Sequence, residues 1–190
     1  SVIPKYTNLL EECVGNPVTF SISVIPTPTV VDPSDLVICN NATVAAVNFT
    51  GAITGTTYSW TNTTPTINLA ASSIGNIPSF NAINQGSSPI VAVVQVTPSF
   101  TLGTTTCIGN NESFSITVNP TPTVDAISSE SYCDGSTTST ILFSSSFGVA
   151  GTSYNWTNSM PSIGLSASGT GNISSFTTTN TTNQSISGNI

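Results

Sequence analysis

The chain has 190 residues with one lysine, no arginine, no histidine and eight carboxylates, which give a formal net charge of −7. Lysine and arginine hold phosphate groups, so this composition excludes nucleic acid and an anionic lipid surface as partners. Without histidine the chain lacks the most common general base, so we expect no enzyme activity. The longest apolar run, residues 90–94, is far shorter than the roughly 20 residues that cross a bilayer. Direct membrane insertion is therefore not expected.

Strand patterns follow one another along the chain. The first stretch, residues 1–25, ends in an alternation of Phe20, Ile22 and Val24. Pro33 interrupts the predicted strand over residues 30–38, as an edge strand tolerates. The predicted strands after residue 25 cover residues 30–38, 43–50, 57–62, 67–69, 77–83, 89–96 and 114–118.

This number and spacing of strands, with no helical period, is typical of an immunoglobulin-like β-sandwich. Tyr58 and Trp60 share one face of the third of these strands. The pattern predicts an all-β fold with Trp60 as the large central core residue. Trp156 is predicted to be its buried counterpart.

Trp156 is the counterpart of Trp60 because most of the sequence occurs twice. PTPTV from Pro26 returns from Pro120, and YSWTN from Tyr58 returns as YNWTN from Tyr154. A period of roughly 95 residues indicates one small domain per repeat rather than a solenoid turn. We expect residues 1–25 to end a preceding repeat, residues 26–119 to form a complete repeat, and residues 120–190 to form a following repeat without its last strands. Either a neighbouring repeat or an adjacent copy would complete the partial repeats.

The predicted junctions between repeats contain alternating prolines. Pro26 and Pro28 make up the first junction, and Pro120 and Pro122 the second. Such segments are stiff, extended backbone, whereas glycine-rich linkers are flexible. The sequence therefore predicts a rod of repeats.

Carboxylates cluster near the predicted junctions, where Asp32, Asp35 and Asp125 are candidate ligands for calcium. Calcium sites need several oxygen ligands. The alternative is that these carboxylates only keep the ends of the domains soluble, since no DxDxDG loop is present. No other cofactor or metal is expected.

The four cysteines are Cys13, Cys39, Cys107 and Cys133. With no histidine beside them they are disulfide candidates in an exported protein. A Cys39–Cys107 bond would stay within one repeat, but the strand order puts these residues at opposite poles. The alternatives are a bond from the Cys39 position of one repeat to the Cys107 position of the next, and free thiols.

The run of NPTPTV, an early cysteine, YSWTN, TPTINLA, GNIPSF and FSITV resembles the PKD-like repeats of Bacteroidetes surface proteins. Those repeats occur in arrays within very large cell-surface and gliding-motility-associated adhesins that the type IX secretion system exports. The resemblance covers essentially the whole chain. The sequence departs from the family pattern at Asn41, two residues after Cys39, where such repeats often have glycine. Gly135, two residues after Cys133, keeps the pattern. The resemblance implies a β-sandwich module, a cell-surface or secreted location, and no catalytic residue.

Two functions are consistent with these patterns. The first is a structural stalk or filament repeat of an adhesin. Its expected partners are neighbouring repeats, and surface polysaccharide or other cells are further candidates. The second is a carbohydrate-binding module of a secreted polysaccharide-processing protein. A sugar site needs exposed aromatic side chains, so exposure of Trp60 or Trp156 would favour the second function.

Overall fold

The computed structural model describes residues 1–190 and is all-β. No helix in it has the length and apolar character needed to cross a bilayer. Two single 3-10 turns interrupt the strands, at Pro65–Ile67 and Pro161–Ile163. The strands are β1 (Lys5–Asn8), β2 (Glu11–Val14), β3 (Leu36–Cys39), β4 (Thr43–Val44), β5 (Thr57–Asn62), β6 (Ser72–Ile74), β7 (Phe80–Asn81), β8 (Ile90–Leu102), β9 (Thr105–Ile108), β10 (Glu112–Asn119), β11 (Asn155–Thr157) and β12 (Ser168–Thr170).

The largest sheet lies within residues 26–119, which we call the central body. Its strand order is β3-β10-β8-β5-β6, and β9 pairs with the far end of β8. β10 runs antiparallel to β8 and parallel to β3, with Ile116 opposite Ala92 on one side and Leu36 on the other. The C-terminal strand of the body is therefore an interior strand.

A second layer faces this sheet and gives the body a β-sandwich-like core. It consists of the β4–β7 pair and a bridge between Val47 and Ile77. Alternation along β8 and β10 points one face of each strand inward, as the period of two requires. The core contains 15 buried hydrophobic residues, among them Trp60, which is 2% exposed. The inward residues of β8 and β10 are Ala92, Val94, Val96, Phe114, Ile116 and Val118.

The strand predicted over residues 67–69 is wrong, because this stretch begins in a 3-10 turn. Pro65 stands at the start of the turn and Asn68 ends it in the left-handed region at φ 70°. The buried side chain of Asn62 stabilises this geometry. Its Nδ2 donates to the Leu69 carbonyl at 3.1 Å and its Oδ1 accepts from the Thr64 amide at 3.0 Å. Such side-chain bonds to the backbone compete with a regular sheet ladder.

Other predicted strands are shorter than expected. Within residues 43–50 and 77–83 only β4 and β7 pair as strands, and within residues 30–38 pairing begins at Leu36. The sequence analysis missed β6 and β9, whose residues are almost all exposed. A strand with both faces in water has no apolar alternation to detect.

Residues 120–190, which we call the C-terminal segment, repeat local contacts of the central body. Backbone hydrogen bonds recur at sequence-matched positions with nearly the same length. The matched bonds are Ile141 N to Ile173 O (2.9 Å) with Val47 N to Ile77 O (3.0 Å), Asn158 N to Ala167 O (2.8 Å) with Asn62 N to Ala71 O (2.7 Å), and Gly171 N to Tyr154 O with Gly75 N to Tyr58 O (both 2.8 Å).

Trp156 is half-buried and so differs from the buried core residue that the sequence predicted. In the central body Trp60 lies on β5, directly opposite Val96 of β8. β11, which contains Trp156, pairs only with β12. The side of Trp156 that a β8-like strand would cover therefore stays open.

We predict that Trp60→Ala lowers the free energy of unfolding by about 3–5 kcal/mol, because it removes a large buried side chain and leaves a cavity. Chemical denaturation measures this change. Ile74→Ala is the control, since Ile74 is 71% exposed on the edge strand β6 and should change stability by less than about 0.5 kcal/mol. Equal effects of the two substitutions would contradict the assignment of Trp60 to the core.

Candidate functional site

The start of the central body is held by close backbone contacts, and this is where a junction between repeats would lie. We call residues 25–30 the lead-in segment. Its Pro28 is fully buried. A Cβ on Gly109 would overlap the carbonyl oxygen of Pro28, and a Cβ on Gly51 would overlap that of Thr29. Glycine at these two positions therefore lets the lead-in segment pack into the body instead of hanging from it.

Asp35 has a structural contact at the start of β3. Its Oδ1 accepts a hydrogen bond from the Ser115 amide of β10 at 2.7 Å. The carboxylate thus pairs with β10 one residue before the backbone ladder begins at Leu36. The hydrogen bonds from Ser115 lower the pKa of the Asp35 carboxyl below its usual value.

Asp125 is engaged by its own neighbourhood in the C-terminal segment. Its carboxylate accepts from Ser144 Oγ at 2.9 Å and from both the amide and Oγ of Ser146 at 2.8 Å. These bonds, first of all those from Ser146, lower the pKa of Asp125. Hydrogen-bond donors of the protein itself therefore occupy the Asp125 carboxylate oxygens that the sequence predicted as calcium ligands.

The structure does not bring the three calcium candidates together. Asp32 lies in the segment before β3, while the carboxylates of Asp35 and Asp125 each bond to different strands or loops. No group of three or more His, Cys, Asp or Glu side chains forms a set that could hold a metal ion. The junction calcium site thus has no assembled ligand set in this chain.

All four cysteines are free thiols in the structure. Cys39 ends β3 opposite Asn119, whereas Cys107 lies on β9 opposite Phe100. The stretch of β8 between these two ends covers about ten residues, or roughly 30 Å at the strand rise. A disulfide needs Cα atoms within about 7 Å, so a Cys39–Cys107 bond is incompatible with this fold.

The one tryptophan and the one tyrosine of the central body are not available for sugar binding. Trp60 and Tyr58 are buried, and the Tyr58 ring packs against Phe49 with centroids 5.8 Å apart. A cleft of about 410 Å³ lies between residues 31–38 and 43–50. Its lining is mainly aliphatic, contains no aromatic ring, and has Asp32 as its one charged residue.

A buried asparagine that the sequence analysis did not single out joins β10 to the loop before β8. Asn84 is 1% exposed. Its Nδ2 donates to the Val118 carbonyl at 2.7 Å and to that of Ser88 at 2.9 Å, while its Oδ1 accepts from the Gly86 amide at 2.9 Å. Asn180 lies at the matching position of the repeat. The recurrence of asparagine at this position is the sequence signal that could have identified Asn84.

No family model, no curated protein and no solved structure matches the chain.

We predict that Asp35→Asn weakens the body most at neutral pH. Because the folded-state pKa of Asp35 is lowered, its stabilising effect is fully present above the ordinary value of 3.8 and is lost as the pH falls through the lowered pKa. Unfolding midpoints measured across a pH series should therefore show a gap between wild type and Asp35→Asn that closes in acid. Asp32→Asn is the matched control, since no hydrogen bond to that side chain is present. A gap independent of pH would contradict the role of the charged form.

Proposed function

We propose that the chain is a piece of a structural stalk or filament repeat of a large cell-surface adhesin, without catalytic activity, that extends a binding tip or forms the shaft of a surface filament. The observation that supports this most is the recurrence of matched hydrogen bonds in the C-terminal segment, at the spacing of the sequence repeat. A sequence that makes the same local structure twice suits a tandem array of modules.

The proposal includes an immunoglobulin-like, PKD-like type for these modules. It is supported by the parallel pairing of β3 with β10, beside the antiparallel β10–β8–β5 order. This arrangement carries the chain from the lead-in segment at one end of the sheet to Asn119 at the other. Successive modules could then follow in line.

Stiffness is the property that a stalk needs, and contacts of the lead-in segment support it. Pro28 is buried, and the Thr29 hydroxyl accepts a hydrogen bond from the Ala52 amide at 3.3 Å. The freely rotating part of the junction is thereby shortened to a few residues around Pro26. Proline further restricts these residues.

A bacterial cell-surface location and export by the type IX system belong to the same proposal. They are supported by the resemblance to PKD-like repeats and by the nearly uncharged, Ser/Thr/Asn-rich surface, in which charged residues make up 5% of the chain. The partners in this function are neighbouring repeats of the same protein or filament.

Small-angle X-ray scattering tests the stiffness. The wild-type chain should give the profile of an elongated rigid particle, because the junction prolines limit bending. Replacing the exposed junction residues in Pro26→Gly/Pro122→Gly should increase flexibility while thermal stability stays unchanged. Pro89→Gly, an exposed proline outside the junctions, is the control and should leave the profile as in wild type. A Gaussian-chain profile for the wild type would contradict the stalk.

Sedimentation with insoluble polysaccharides tests the rival function. We expect the wild-type chain to stay in the supernatant, because Trp60 and Tyr58 of the central body are buried. Trp156→Ala tests whether the half-buried Trp156 ring binds sugar. Binding that Trp156→Ala abolishes would overturn the stalk assignment in favour of a carbohydrate-binding module.

A further inference from the structure

One edge of the second layer of the central body is free of backbone pairing. Val47 and Ile77 exchange backbone hydrogen bonds within that layer, at 3.0 Å in each direction. The backbone amides and carbonyls of Ala45, Ala46 and Asn48 form no such bond. These three residues, which we call the open edge, are exposed and line the cleft of about 410 Å³. A row of unpaired backbone groups can pair with another strand.

The opposite wall of the cleft is suited to apolar contact rather than to pairing. Pro33 interrupts this wall, and proline has no amide hydrogen to donate to a further strand. Val31 and Val37 in the same wall are 63% and 73% exposed, and Leu36 and Ile38 are half-buried. The cleft therefore combines a polar backbone edge on one side with aliphatic side chains on the other.

The size of the cleft fits a short extended peptide. Its volume of about 410 Å³ lies within the range of roughly 300–1,000 Å³ that is usual for ligand-binding clefts. The open edge reaches from Ala45 to Asn48, which is roughly 13 Å at the rise of a strand. A segment of about four extended residues can pair along that length.

The charge at the cleft indicates which kind of peptide it would bind. Asp32 is the one charged residue in the lining, and it is exposed. Val31 precedes it and donates its amide to the Thr50 carbonyl at 2.8 Å, so Asp32 lies toward the Asn48 end of the cleft. The chain as a whole has a net charge of −7. A basic segment is therefore attracted and an acidic segment is repelled.

A second copy of the chain does not supply the matching charge. Lys5 is the one basic side chain in the sequence. It already forms an ion pair with Glu12, with Nζ and Oε1 2.9 Å apart. A segment of a different polypeptide, with a lysine or arginine of its own, is therefore the occupant that the charges favour.

We propose that this cleft binds an extended, basic segment of another polypeptide by strand addition. The segment pairs its backbone with the open edge, places apolar side chains against Val31 and Val37, and brings a lysine or arginine beside Asp32. In such recognition, main-chain hydrogen bonds give affinity and alternate side chains give specificity. The inference goes beyond the stalk function, because it gives a single module a partner of its own. All the residues that carry it belong to the central body.

The first test is a titration of the isotope-labelled chain with the peptide acetyl-KVTVTV-amide, followed by NMR at each backbone amide. An antiparallel strand brings the lysine at the amino end of this peptide to the Asn48 end of the cleft. Saturable shifts are expected at the open edge. The amides of β6, the edge strand of the largest sheet, are the internal control and should not shift. An open edge without shifts, or equal shifts at both edges, would overturn the proposal.

The second test measures the charge preference. Asp32→Asn should weaken the binding of acetyl-KVTVTV-amide by about 2–5-fold, which is the size of an exposed ion pair. Glu112→Gln removes the same charge at a residue outside the cleft lining and should bind like wild type. The peptide acetyl-EVTVTV-amide should bind wild type more weakly than the lysine peptide, and Asp32→Asn should narrow this difference. Equal effects of the two variants would show attraction by net charge alone and would overturn the proposal.

The third test asks whether backbone groups of the peptide carry the binding. Alternate amides of a strand point to opposite sides, so only one of the two alternate sets can face the open edge. N-methylation of one set should weaken binding at least ~10-fold, because it removes several main-chain hydrogen bonds. N-methylation of the other set should leave binding as it was. Equal effects of the two sets would rule out pairing with an edge.

The same NMR signals distinguish a second copy from a foreign segment. If a second copy occupies the cleft, the amides of the open edge shift with the concentration of the chain alone, and the proposal is overturned. Signals that stay constant on dilution and move only when the peptide is added support a different polypeptide as the partner.

Discussion

The central body depends on the placement of β10 between β8 and β3. This one strand buries Phe114, Ile116 and Val118 and thereby closes the core between the two layers. It also accepts the Asn84 hydrogen bond at the Val118 carbonyl. Removing a strand from the interior of a sheet exposes apolar surface and leaves two backbone edges unpaired, and both are unfavourable. The body is therefore stable only as a complete set of strands.

The C-terminal segment shows which parts of the fold form without that strand. The 3-10 turn and its asparagine are retained, since Asn158 Nδ2 donates to the Leu165 carbonyl at 2.9 Å as Asn62 does to Leu69. The β11–β12 pair is also retained. These contacts join residues close in sequence. The core around Trp156, which needs contacts distant in sequence, remains open.

For the proposed stalk, the topology has a mechanical consequence. The lead-in segment enters at β3 and the chain leaves the body at Asn119, the last residue of β10. Because β3 and β10 are parallel neighbours, tension between these two points loads their hydrogen bonds together rather than one after another. The Ser115 bond to Asp35 extends this set by one more contact.

Much of the central body follows from local patterns. The alternation of Tyr58 with Trp60, and of the apolar residues of β8 and β10, identified the inward faces, because a strand with one buried face must alternate. The edge strands β6 and β9 could not be found in this way, since both of their faces meet water. The apolar residues Ile67 and Leu69 predict a strand where the structure has a 3-10 turn, because both are buried as strand residues would be and the role of Asn62 is visible only in three dimensions.

The sequence by itself determined the period of the repeat, the all-β class and the inward faces of β5, β8 and β10, because all three are carried by residue types at fixed spacing. Only the tertiary structure decided what the polar residues do: Asp35 and Asp125 accept hydrogen bonds from the protein instead of meeting at one site, and Cys39 and Cys107 lie at opposite ends of β8. The tertiary structure also decided that Trp156 is only half-buried while Trp60 is fully enclosed. The same side chain in the same local pattern has two environments, because burial depends on strands that pair across long sequence distances, and no local pattern contains that information.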